Sequence, residues 1–173
     1  MSNPQVETQI QTSDEDQVFY EVLTEVSKYV EKLNKLVMSD NVPHKLITNL
    51  RLQLGERKDY SKDHRALITF MLDVAENSAA NIANRLIDIV KYFNKAMSKT
   101  EEFRERVIAL DIVYHFLSNV LDSTTRIDTI VYVLCQQEEL CAEDLEKEFD
   151  NVGYFAANAK DTIKKYLANQ YKL

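Results

Sequence analysis

The chain has 173 residues, 45% of them hydrophobic and 28% charged, with a net charge of −7. That is the composition of a folded globular chain, long enough to bury a core without staples, and it excludes wholesale disorder. With only two glycines and two prolines the sequence lacks the turn residues a sheet protein needs between strands, which leaves an all-α fold.

Residues 1–13, "MSNPQVETQIQTS", are polar and aperiodic and read as a flexible tail ahead of a single helical domain spanning 14–173. The first helix begins in the acidic stretch after Ser13. It carries Val18, Val22, Val26, Tyr29, Leu33 and Leu36 as one apolar stripe. A second helix follows, with Asp40 or Asn41 as cap, Pro43 in its first turn and Gly55 as a left-handed stop. Ser61 caps the next segment. Its stripe runs through Leu67, Phe70/Met71 and Val74, and then through Ile82, Leu86, Ile89, Phe93 and Ala96, as one helix or as two broken near Asn77-Ser78.

Ser98 with Glu101, or Thr100 alone, can cap the next helix. There Phe103, Val107, Leu110, Tyr114, Leu117 and Leu121 repeat at heptad spacing, widened by Val113, Phe116 and Val120. A further helix is expected from Ser123. A short acidic helix ending at Gly153 follows it, and a weakly apolar basic helix closes the chain. The expectation is therefore a bundle or short superhelix of seven or eight amphipathic helices, with lower local stability beyond Ser123, where the apolar stripe thins.

The letters exclude several chemistries. Gly55 and Gly153 lie too far apart to write a phosphate-binding glycine loop or a nucleophile elbow, and no H-E-x-x-H is present. Nor is there a secretory signal or a run of about 18 apolar residues, so an intracellular, cytoplasmic chain without a membrane span is expected. In that setting Cys135 and Cys141 read as free thiols; they cannot make a four-cysteine zinc site. No cofactor is implied, and the acidity disfavours broad contact with nucleic acid.

Four features could carry function. Asp111 and His115 stand one helical turn apart, where a carboxylate and an imidazole can orient each other or begin a metal site; the same residues also suit a solvent face. The run "QEELCAEDLEKEFD" presents Glu138, Glu139, Glu143, Asp144, Glu146 and Glu148, an acidic face able to attract a basic partner. Tyr154 and Tyr166 lie on the weakly apolar last helix and are candidate contact residues.

The fourth is "GERKDYSKDHRAL", where Arg57 and His64 are separated by six residues. This spacing resembles the Arg-x(4–6)-His pattern of the HEPN superfamily of helical ribonucleases, although Lys58 stands where that family often has a small polar or acidic residue. The resemblance covers eight residues and implies Arg57 stabilising phosphate charge while His64 moves a proton. The competing reading is an exposed connector, with Gly55 ending one helix, Ser61 starting the next, and Arg57 and His64 apart. The helical rhythm after Ala66 also resembles that of peptide-binding α-superhelices, without a position-by-position match. The expected function is a non-enzymatic interaction module (adaptor, regulator or structural subunit) whose partner is another protein or a second copy of itself. A HEPN-like ribonuclease and a peptide-binding superhelix are the alternatives.

Overall fold

The computed structural model describes residues 14–170. It contains five α-helices: α1 (Asp14–Asn34), running on into a π-helical segment (Lys35–Ser39), α2 (Val42–Glu56), α3 (Lys62–Met97), α4 (Phe103–Glu138) and α5 (Glu143–Gln170). Among the described residues there is no strand. The all-α class holds, and of the two architectures expected the helices form the bundle; the tail at 1–13 lies outside the described residues.

The helices are fewer than seven or eight because three expected breaks do not occur, and the reason is the phase of the apolar stripes. In α3 the buried side chains are Ile68, Leu72, Ala75, Ala79, Ile82, Leu86, Ile89, Phe93 and Ala96, alternating four and three without interruption. The stripe expected through Leu67 and Phe70 is displaced from that phase, and both side chains stand in solvent, at 58% and 65% exposure. Of the two readings, one helix or two, the unbroken helix holds, because the buried series passes through Ala75, Ser78 and Ala79 without a gap.

In α4 the buried series is Leu110, Val113, Leu117, Val120, Thr124, Ile127, Val131 and Leu134, again a heptad, and it runs straight through "STT". The polar residues there are small enough to be buried and are satisfied. Thr124 Oγ1 donates to the Leu121 carbonyl at 2.8 Å, and Ser123 Oγ accepts from Asn81 Nδ2 at 2.8 Å. Gly153 does not end a helix either. It keeps a negative φ inside α5, and a Cβ there would meet only the Thr124 hydroxyl, at 3.8 Å. α5 buries Phe149, Val152, Ala156, Ala159, Ile163, Tyr166 and Leu167, so the segment after Ser123 is stitched into the same core as the rest.

α1 shows the same one-residue shift. Its buried residues are Phe19, Leu23, Val26, Val30 and Leu33, while Val18 is exposed. Each fully buried Leu, Ile or Phe contributes about 1.5–3 kcal/mol relative to exposure, which is why the phase that closes the core prevails.

The packing order is α3 against α4, α4 against α5, α5 against α1, and both α1 and α2 against α3. Four rods result, the first of them split. Val30 and Asn34 of α1 share a recess with Val90, Phe93 and Asn94 of α3. Further along, His44 meets Glu76 and Arg51 meets Asp73, at 2.6 and 2.8 Å. The α3 numbering falls steadily as the numbering of the first rod rises, so α1 and α2 continue one line antiparallel to α3. The line breaks at Asn41, whose φ of 50° is left-handed, a conformation asparagine tolerates. Pro43 then sits in the first turn of α2, as expected.

Helix ends agree only in part with the sequence. Ser61 caps α3, its hydroxyl accepting from the His64 amide at 3.1 Å. Gly55 is not a left-handed stop but lies within α2, which ends as Arg57 turns extended. Ser98 closes α3, and Glu102 occupies the N-cap of α4 with no side-chain cap bond, so the expected capping box does not form.

Candidate functional site

The α2–α3 connection crosses the C-terminal end of α4, and there the charged stretch ceases to be a solvated turn. Arg57 Nη2 donates to the Glu138 carbonyl at 2.9 Å and to that of Glu139 at 3.4 Å, and the Tyr60 hydroxyl donates to the same Glu138 carbonyl at 2.8 Å. His64 Nε2 lies 3.0 Å from Glu138 Oε1. The rings of Tyr60 and His64 lie 4.5 Å apart, tilted by 58°, with the Arg57 guanidinium 5.4 Å from the Tyr60 ring. Arg57 and His64, expected to stay apart, are thus brought together on a single residue. Burial is the main cause that raises the pKa of the Tyr60 phenol above its ordinary value.

The physical reason is the end of a long helix. The last carbonyls of α4 lack intrahelical donors and carry the negative end of its dipole, so a guanidinium and a phenol answer them directly. Glu139 is left-handed, with φ 56°, and the Leu140 amide donates back to the Leu134 carbonyl at 3.1 Å. Arg65 reinforces the connection from beneath. Its guanidinium donates to the Leu54 carbonyl at 2.7 Å and also to that of Arg57.

Cys135 and Cys141 are joined in a disulfide, with their Cα atoms 4.9 Å apart, which corrects the expectation of free thiols. The left-handed turn at Glu139 folds the chain back, so that residue 141 returns beside the last turn of α4. Gln53 of α2 grips this turn from the other side; its amide donates to the Cys141 carbonyl and its oxygen accepts from the Cys141 amide at 3.2 Å. Gln53, Tyr60 and Arg65 carry no motif, and their shared target lies far along the chain, so no sequence signal marked them.

The other candidates fall elsewhere. Asp111 Oδ1 and His115 Nε2 are 3.6 Å apart on the exposed side of α4. Among the described residues no group of three or more His, Cys, Asp or Glu is arranged to hold a metal ion. Of the acidic run, Glu139, Glu143, Asp144 and Glu148 are exposed, Glu138 and Glu146 half-buried. Glu146 Oε2 accepts from the Ala142 amide at 3.0 Å and closes the first turn of α5. Where α4 meets α5, Asp128, an exposed residue whose carboxyl is only partly shielded from water, faces Asp150 and Glu146; partial desolvation first and these two charges next push its pKa up to about 6. Tyr154 is exposed, at 61%, as a contact residue would be. Tyr166 is not; it is buried against Phe19, ring centroids 5.5 Å apart, because α5 turns this face into the core.

Among the described residues, no helix is long and apolar enough to cross a membrane. The chain matches no protein-family model, and comparison with curated proteins and with solved structures returned no match.

Proposed function

We propose that this chain is a non-enzymatic protein–protein interaction module, serving as an adaptor, regulator or structural subunit. The observation that carries this reading is the second apolar stripe of α3. Ile68, Leu72 and Ala75 are buried, while Leu67 and Phe70 project into solvent with Met71 and Val74 half-buried beside them. Spacings of three, four and seven put these four residues on one face over two turns. An isolated exposed leucine needs no explanation, whereas a helix apolar on two faces reads as a docking surface for another protein or a second copy of this chain.

The test is to replace both exposed residues, Leu67→Ser with Phe70→Ser, and measure self-association by light scattering and partner recovery from the native source. Wild-type chain that self-associates or retains a stoichiometric partner, with loss of either in the double variant, supports the proposal. A wild-type chain that stays monomeric and recovers nothing sinks it.

One observation supports a second reading, the HEPN-like ribonuclease, namely the convergence of Arg57 and His64. Cleavage of RNA would need these side chains to face a phosphate. Here Arg57 is directed to backbone carbonyls and His64 to a carboxylate. A ribonuclease assay with wild type and His64→Ala decides: cleavage abolished by the substitution would replace the interaction reading with the enzymatic one.

A further inference from the structure

At the end of the bundle away from the Glu138 clasp, a cavity of about 430 Å³ opens between α1, the C-terminus of α3 and the start of α4. That is within the size range of small-molecule sites, roughly 300–1,000 Å³. Leu23, itself in the core, lines it beside Tyr20 and Met97, which are 61% and 44% exposed. Its charged lining is Lys28, Lys99 and Arg106 against the single carboxylate of Glu31. In a chain of net charge −7 this is a local reversal of sign.

Arg106 is fixed in place. Its Nε donates to the Ala96 carbonyl at 2.8 Å, and its guanidinium lies 5.1 Å from the Phe19 ring. That hydrogen bond also offsets the negative backbone end of α3, which would otherwise repel an anion. Lys28 and Lys99 make no ion pair among the described residues, unlike Lys95, which reaches Glu105 at 3.9 Å, and Lys165, which reaches Asp161 at 2.9 Å. Two ammonium groups without an ion pair among the described residues border a recess whose exposed surface is mainly apolar, a combination suited to a ligand with an anionic head and an apolar body.

We propose that this recess binds a small amphiphilic anion, an acyl chain of medium length ending in a carboxylate. The chain lies along Leu23, Tyr20 and Met97, and the carboxylate sits at the rim near Lys28 and Lys99. The site goes beyond the interaction reading and does not depend on it, since it lies on α1 and the α3–α4 turn rather than on the outer stripe of α3.

Calorimetric titration with decanoate, below its micellar range, tests the proposal, with decanol and acetate as the arms lacking the head or the chain. The expected result is one saturable decanoate site, with decanol and acetate each weaker by at least about tenfold. K28Q/K99Q, at exposed positions that leave folding intact, should weaken decanoate by about tenfold, and Met97→Glu should abolish binding. Circular dichroism melts check that both variants are folded, and if the double variant is not, Met97→Glu decides alone. Absence of saturable binding, a stoichiometry well above one, equal binding of decanol, or affinity unchanged in the folded variants would each overturn the proposal.

Discussion

The two ends of the bundle are held together by different physics. At one end, directional bonds dominate: Arg57, Tyr60 and His64 converge on Glu138, Gln53 grips Cys141, and a disulfide closes the α4–α5 turn. At the other, rings do the work. Phe19 is 1% exposed, its centroid 5.3 Å from Phe103 and 5.5 Å from Tyr166, with the Arg106 guanidinium above it. Polar bonds there are fewer, and the Tyr166 hydroxyl is buried with no partner among the described residues. The contrast teaches where each kind of force is useful. A turn full of backbone carbonyls needs donors to be buried at all, whereas at the aromatic end, where Arg106 answers the Ala96 carbonyl, the helices are joined mainly by area and shape.

The strongest test of the contrast removes the ring. Phe19→Ala should cost about 3–5 kcal/mol, the transfer and cavity terms of a buried phenylalanine together. Equilibrium unfolding in urea measures it. A loss under about 1 kcal/mol would show that the aromatic end is not packed as described. Next, and smaller, is Cys135→Ser with Cys141→Ser. A closed loop this short, six residues apart in sequence, predicts a loss of about 2 kcal/mol, and adding reductant should bring wild type down to the variant. Hydrogen exchange should quicken at residues 139–146 while amides around Phe103 keep their protection. Equal quickening at both ends would mean that the two are not separable.

These same regions show how much the sequence disclosed. The all-α class, the cap at Ser61 and the proline at 43 were legible, because each depends on composition or on neighbours within a turn or two, whereas Arg57 and His64, expected apart, converge on Glu138. Helix number was not, because the small polar residues in α4 and the glycine in α5 read as breaks; nor was the buried stripe, because α1 and α3 each carry two overlapping apolar series offset by one residue. Val18 or Phe19, and Leu67 or Ile68, are equally good openings until a neighbour covers one of them. Periodicity fixes a helix, but which stripe is buried depends on partners distant in the chain. The same distance hid the clasp: the groups answering Glu138 stand 74 to 81 positions before it. The disulfide was hidden by a left-handed glutamate, a conformation that residue type seldom adopts.

Asp128 gives a third, pH-dependent handle on the polar end. Its folded pKa of about 6 lies above the ordinary 3.8, so the folded chain holds this proton more tightly than the unfolded one. Ionisation therefore works against the fold. The penalty is fully present above about pH 6 and disappears as pH falls below about 4. Asp128→Asn should raise stability at pH 7 by about 1 kcal/mol, a figure discounted for the water that reaches the carboxyl. The gain over wild type should vanish below pH 4. A gain that persists at pH 3 would point to packing rather than charge.

The smallest effect is also the one with the less usual sign. Tyr166 is 3% exposed, and burial, with Glu15 and Asp16 adding to it, pushes its pKa to about 12. A buried hydroxyl without a partner has lost its water and gained nothing in exchange. Tyr166→Phe keeps the ring against Phe19 and removes only the oxygen, so it should stabilise the protein by a few tenths to about 1 kcal/mol. The difference should widen between pH 10 and 12, because ionising a phenol whose folded pKa is raised costs the folded state alone. Spectrophotometric titration should show one fewer tyrosine ionising near pH 12. A loss of 1 kcal/mol or more would show instead that the hydroxyl is bonded, and that the aromatic end, like the other, holds a polar tie.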